Sequence, residues 1–179
     1  MFGPRFETQP LHKLSAVATP LIGLTYHPEN VSSSGTIVLR SGNIQNGELN
    51  LREDVVRVSG LKIDGSKMVK NLDILMCARN GSARLVGKTC LVKDPQEQMA
   101  FGAFMAVVRS PFPYFMNGFF NSAFFKNQLT NTGTTSVNQI TNGMLNNYLL
   151  IIPTKDDEKN FSTFVQQIDK LKFVANRKP

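Results

Sequence analysis

The run Gly81-Ser82-Ala83-Arg84-Leu85-Val86-Gly87-Lys88-Thr89 has the residue types of a phosphate-binding loop. Such a loop uses glycines that let backbone amides approach an anion, then a lysine and a hydroxyl to meet phosphate and metal. The spacing does not suit that chemistry. Five residues separate the glycines where the loop has four, and residues 89–93 read as a strand. Without a helix N-terminus after the lysine, phosphates lose much of their electrostatic cradle. Nucleotide hydrolysis is not expected.

The other reactive side chains are scattered. Asp156, Asp157 and Glu158 cluster where a helix is expected to start, and there the helix dipole stabilises negative charge without any catalytic role. His12 and His27 have no hydroxyl or acid partner at motif spacing, so neither a triad nor a metal site is expected from them. Cys77 and Cys90 lie in apolar stretches without a CxxC spacing and read as reduced core residues. Ser110-Pro111-Phe112-Pro113-Tyr114 is similar to the Asn/Asp-Pro-Pro-Tyr/Phe loop of amino-methyltransferases. Phe112 separates the two prolines, however, and no Gly-rich S-adenosylmethionine loop accompanies them. The expectation is a protein without metal, cofactor or catalysis of its own, a binder.

Composition indicates what is bound. Twenty Lys and Arg against thirteen Asp and Glu give a net charge of +7, which suits a polyanionic partner. With 179 residues and 41% hydrophobic content, the chain can bury the core of one globular domain. No apolar run approaches the roughly 20 residues that span a bilayer. The segment from Met1 to Phe6 lacks the charged-then-apolar pattern of a signal peptide. A soluble, cytoplasmic protein without a membrane partner is expected.

The elements that must position any binding residues are short. Strands are expected at 36–40, 55–58, 73–78, 88–92, 104–109 and 148–152, each apolar and bounded by Gly, Asn, Pro or Asp. Asn46-Gly47, Asp64-Gly65, Asn80-Gly81 and Asn142-Gly143 all favour tight turns with positive φ. The fold class is mixed α/β: a twisted, loop-rich sheet with a buried Phe-rich helix and a C-terminal helix. The Phe-rich helix is expected at 113–129, with Phe115, Phe119, Ala123, Phe120 and Phe124 forming its apolar arc. The last helix follows Pro153, capped by Thr154 or Asp156. Its stripe of Phe161, Phe164, Val165, Ile168 and Leu171 calls for a partner, either its own domain or another helix in a coiled coil. We divide the chain into a recognition domain at 1–153 and a helix, the start of a spacer, at 154–179.

Read in order, these segments resemble the target-recognition domain of specificity subunits in type I restriction-modification systems. The resemblance covers about residues 14–172. It begins with the strand, polar loop and turn at Gly35-Thr36-Ile37-Val38-Leu39-Arg40-Ser41-Gly42-Asn43-Ile44-Gln45-Asn46-Gly47. Asp73-Ile74-Leu75 leading to Arg79-Asn80-Gly81-Ser82 is similar to the family's Gly-Asp-Ile-Leu strand and Arg-x-Gly-Ser/Thr loop, with Asn71-Leu72 where a glycine is common. Gly87, the helix at 115–129, the loop from Thr132-Gly133-Thr134-Thr135 to Ile140, and the strand before Pro153 follow in the family's order. The chain departs after Pro153, where Thr154 to Lys159 replaces a second proline and Glu-Gln. Specificity subunits carry two such domains and this chain carries one. An excised domain or a half-subunit that pairs with a second recognition domain would account for that.

The resemblance implies sequence-specific recognition of double-stranded DNA. A methyltransferase subunit would dock on the conserved helices and modify adenine, and a restriction subunit would join through it. Residues that implies on exposed loops fall into two groups. Arg79 suits a bidentate contact to guanine, and Asn80, Asn138 or Gln139 one to adenine. Thr134 and Thr135 are short polar groups for phosphate or a thymine methyl, and Arg40, Arg84 and Lys88 suit the phosphate backbone. Ser82 is a further DNA-binding candidate that could instead only close a turn with Gly81. Arg79 has a competing structural role, pairing with an internal carboxylate such as Asp73. Two other readings remain open: a recognition domain of a single-chain restriction-methylation enzyme, and a protein-interaction module that does not bind DNA.

Overall fold

A computed structural model of the chain describes residues 8–130 and 138–175. Its centre is an antiparallel sheet of four strands in the order Thr19–Ile22, Met105–Arg109, Ile74–Cys77, Thr89–Leu91. The two inner strands are apolar at successive positions, not alternate ones, and every residue of Ile74–Cys77 is buried. Covering on both faces explains the pattern, since neighbouring side chains point to opposite sides. Ile74, Met76, Ala106 and Val108 face a cluster that includes Phe115, Phe119, Phe120 and Phe125 from the helices. Leu75, Cys77, Met105 and Val107 face a second cluster with Ile37, Leu39, Met99 and Phe101.

That second cluster belongs to another four-stranded sheet, in the order Met99–Phe101, Thr36–Leu39, Val56–Val58, Val31–Ser32. Its pairs are antiparallel except Met99–Phe101 with Thr36–Leu39, which run parallel. The architecture is thus three layers, helices over one sheet over a second, with mixed α/β composition as expected. His12–Lys13 also pairs with Leu149–Leu150, the short remnant of the strand expected at 148–152. Cys77 and Cys90 are buried free thiols, and burial pushes the Cys90 thiol up to about 12.

The turn expectations divide. Asn46 and Gly47 both have positive φ, 53° and 77°, and close a two-residue hairpin between Ile44–Gln45 and Glu48–Leu49. The other three pairs are not such turns. Asp64 caps the 3-10 turn Gly65–Lys67 by accepting from Ser66 N. Asn80 makes an Asx turn, its Oδ1 accepting from Ser82 N. Asn142 and Gly143 open the helix α3, Asn142–Asn147, which Thr141 caps.

The Phe-rich helix is broken where continuity was expected. Helix α1 spans Pro113–Asn121 and helix α2 spans Ala123–Thr130, with extended Ser122 between them. Ser122 serves both ends. Its Oγ donates to Phe119 O at 2.6 Å, ending α1, and accepts from Phe125 N at 3.2 Å, starting α2. The break shifts the helical phase, so Ala123 and Phe124 are exposed and Phe125 enters the core.

Helix α4, Lys155–Ala175, is capped by Thr154 and not Asp156: Asp157 N donates to Thr154 Oγ1, and the Asp157 carboxylate accepts from Thr154 N. Its first half packs on its own domain. Phe161 meets the Phe115 ring edge-on, and a Cβ on Gly118 would lie 3.0 Å from the Phe161 ring. Lys93 pairs with Asp169, and Val165 and Ile168 are half-buried. Phe164 and Leu171 remain exposed, at 58% and 70%.

Glu158 ties α4 to α1, its two carboxylate oxygens accepting from Tyr114 N and Phe115 N at 2.9 Å each. These are amides with no partner within their own helix. Burial raises the Glu158 pKa, and the two backbone hydrogen bonds oppose the rise. Because the folded pKa lies above the unfolded one, this group's contribution is full below the unfolded pKa and is lost as pH rises through the folded pKa. Glu158→Gln is expected to cost about 1 kcal/mol at neutral pH, since only one oxygen remains for two donors. It is also expected to flatten the decline of stability with rising pH in the mildly acidic range. Thermal melts of both proteins across that range check this.

Candidate functional site

A cleft of about 750 Å³ opens where four chain segments leave the two sheets. Thr36–Leu39 delivers Arg40 and Ser41, and Ile74–Cys77 delivers Arg79, Asn80 and Gly81. The edge strand Thr19–Ile22 delivers Leu24, Thr25 and Tyr26, and the turn before Met105–Arg109 delivers Gly102, Ala103 and Phe104. The segments meet because the sheets are stitched together at Gly23 and Leu24. Gly23 N donates to Met105 O and Leu24 N to Phe101 O, at 3.1 and 2.8 Å. A Cβ at Gly23 would sit 2.1 Å from Gly102 O and 2.2 Å from Phe101 O, so the approach requires glycine.

The charged side chains lining the cleft, Arg40 and Arg79, are both cationic and exposed. The Arg79 guanidinium carbon lies 5.3 Å from the centroid of the Phe104 ring. Arg79 does not pair with Asp73. That carboxylate is held by Arg109, whose Nε and Nη2 donate to its two oxygens at 2.9 and 3.0 Å. The guanidinium of Arg79 therefore stays at the surface.

Asn80 is bound inward. Its Nδ2 donates to Ser41 Oγ at 3.1 Å while its Oδ1 accepts from Ser82 N, so both halves of the amide fork are engaged within the protein. This joins the loop at 79–82 to the one at 40–41. Residues 138–140 run alongside, with Asn80 N donating to Asn138 O and Ile140 N to Ala78 O, and with Arg79 bridged to Gln139. Asn138 and Gln139 are exposed next to Arg79. Thr134 and Thr135 lie outside the described residues.

Ser82, Arg84 and Lys88 do not line the cleft. Ser82 precedes, and Arg84 lies on, the exposed 3-10 turn Ala83–Leu85, and Lys88 is half-buried before the strand Thr89–Leu91. That strand follows Gly87-Lys88 where a phosphate loop needs a helix, and the Thr89 hydroxyl is buried against Asn121 Nδ2. Tyr26, Ser41 and Phe104 were not singled out in the sequence. For Phe104 the available signal was its place after Gly102-Ala103, where a tight turn lifts an apolar residue out of the strand. Among the described residues no group of three His, Cys, Asp or Glu side chains could hold a metal ion. No helix among them is long and apolar enough to cross a membrane.

No protein-family model matches the sequence, and no curated relative matches it. Solved structures do match. One, from a structure of complex assembly and conformational transition of the type I R-M system, superposes with a TM-score of 0.69 at 14% identity, over 99% of this chain and 41% of that one. The HsdS subunit from Thermoanaerobacter tengcongensis gives 0.65 at 13% identity, over 99% and 40%. The S subunit of a type I restriction-modification system from M. genitalium gives 0.63 at 11%, over 98% and 43%. The chain thus has the fold of these subunits and spans about two-fifths of their length.

Proposed function

We propose that a chain sharing its fold with type I specificity subunits acts as one of their recognition domains, reading half of a split site in double-stranded DNA. The observation that supports this reading most is the extent of the likeness: nearly all of this chain against two-fifths of an HsdS subunit, as one of two recognition domains would give. The cationic cleft adds to it, because loops carried on a rigid double sheet are where sequence-reading side chains belong.

In this reading Arg79 takes a guanine through its exposed fork, with Asn138 and Gln139 beside it as adenine readers. Asn80, with its amide engaged, positions the Arg79 loop against Ser41. Arg40, Arg84 and Lys88, with Ser82, meet phosphates. Partner subunits supply adenine methylation and cleavage, the methyltransferase docking on the conserved helical spacer to which the segment at 154–179 is assigned. The exposed Phe164 and Leu171 suit a helix that packs on another. The protein works in the cytoplasm, without catalysis or cofactor of its own.

The experiment is fluorescence anisotropy on a randomised duplex pool titrated with salt, followed by selection of the bound fraction. Salt-sensitive binding with a short preferred sequence is the expected result. A folded protein with no DNA affinity at low salt would favour the interaction-module reading. Arg79→Ala is expected to cost about 1–3 kcal/mol and relax one position of the selected sequence. A uniform loss on all sequences would move Arg79 to the phosphate class.

A further inference from the structure

Phe104 stands out as an apolar side chain the fold leaves uncovered. It is 60% exposed at the lip of the cleft, and its ring is not part of either buried cluster. Its backbone is nevertheless held firmly, for its carbonyl oxygen accepts from both Ala78 N and Arg79 N at 2.9 Å. The ring's position relative to Arg79 is thus set twice, by the backbone pairing and by the guanidinium over its face. An aromatic fixed at the surface beside a hydrogen-bonding fork presents two complementary contacts to one ligand.

We infer that Phe104 is a specificity-determining residue that reads the 5-methyl group of a thymine next to the guanine taken by Arg79. This rests on the DNA-reading function proposed above and deepens it. The major groove displays just these two features: the O6 and N7 acceptors of guanine, matched by an arginine fork, and the thymine methyl, the apolar group that phenylalanine contacts. Neighbouring bases on a strand are separated by about 3.4 Å. With the guanidinium carbon 5.3 Å from the ring centroid, between one and two base steps, the ring is placed to meet a base next to the one the fork reads. The half-site is expected to contain a thymine adjacent to the guanine that depends on Arg79.

The test uses the whole chain and the half-site selected by the wild-type protein. Each thymine is replaced in turn by deoxyuridine, which removes the methyl and leaves every hydrogen bond intact. The wild type is expected to lose about fourfold in affinity at one position, the worth of one buried methyl. That position should adjoin the guanine to which Arg79→Ala becomes indifferent. Phe104→Ala should bind more weakly and show no difference between thymine and deoxyuridine there, whereas Phe104→Leu, still apolar, should retain most of the difference. A merely structural role in supporting Arg79 would weaken binding without abolishing methyl discrimination. Circular dichroism verifies that the variants are folded, which the ring's exposure leads us to expect.

Two outcomes overturn this inference while leaving DNA recognition intact: sequence-selective binding indifferent to every thymine methyl, or methyl discrimination that survives in Phe104→Ala. Absence of salt-sensitive, sequence-selective binding in the wild type would instead overturn the function on which the inference rests.

Discussion

Arg109→Ala is expected to destabilise the protein by about 3 kcal/mol, measured by chemical denaturation. Asp73 is 3% exposed, and its carboxylate is satisfied by two guanidinium donors from Arg109 and by Lys70 N at 2.8 Å. The same guanidinium donates to Met68 O at 2.7 Å and Ser66 O at 3.3 Å, so it also fastens the loop before the central strand. Removing it leaves a buried charge largely unpaired and two carbonyls short of a donor, the costly way to break such a pair. Removing both charges is less harmful, so Arg109→Met combined with Asp73→Asn should recover part of the loss. Arg79→Ala, at a surface guanidinium resting on an exposed ring, should change stability by less than about 1 kcal/mol. If Arg109→Ala costs less than Arg79→Ala, the assignment of Asp73 to Arg109 is wrong.

The second large effect distinguishes two adjacent phenylalanines. Phe125→Ala should cost about 3–5 kcal/mol, because the ring is fully buried and packs edge-on against Phe120 and Tyr148, each at 5.0 Å between centroids. Phe124→Ala should cost less than about 1 kcal/mol, since that ring is 46% exposed. A single continuous helix reverses the expectation, because Phe124 would follow Phe120 one turn later and share its face. Denaturation midpoints of the two variants decide between these arrangements. An equal loss in both would be inconsistent with the Ser122 break.

Local chemistry made much of the framework legible. The runs at 36–40, 73–78, 88–92 and 104–109 became Thr36–Leu39, Ile74–Cys77, Thr89–Leu91 and Met105–Arg109, because dense apolar segments bounded by turn residues favour buried strands. Thr19–Ile22 was hidden by Pro20, which discourages a strand assignment yet is tolerated at a sheet edge, where this strand lies. Met99–Phe101 was hidden because three residues carry no periodicity, and it is defined by its parallel partner. Ser122 gave no warning of a helix end because serine is tolerated within helices. Its hydroxyl meets both Phe119 O and Phe125 N, contacts that local spacing does not specify.

At the cleft, Arg40, Arg79 and Asn80 were recognised by residue type, as forks and charges on loops, but Phe104 and Tyr26 were not. What the sequence by itself determined is most of the central strands, the helix starts at Pro113 and after Pro153, and the cationic charge of the chain. These follow from side-chain chemistry and near-neighbour spacing. Only the tertiary structure decided that Arg109 and not Arg79 holds Asp73, that Asn80 turns inward to Ser41, and that Phe104 lies beneath Arg79. Each of these pairs spans some twenty-five or more residues of chain. Such contacts depend on the register and stacking of two sheets, which only the collective packing of both cores selects.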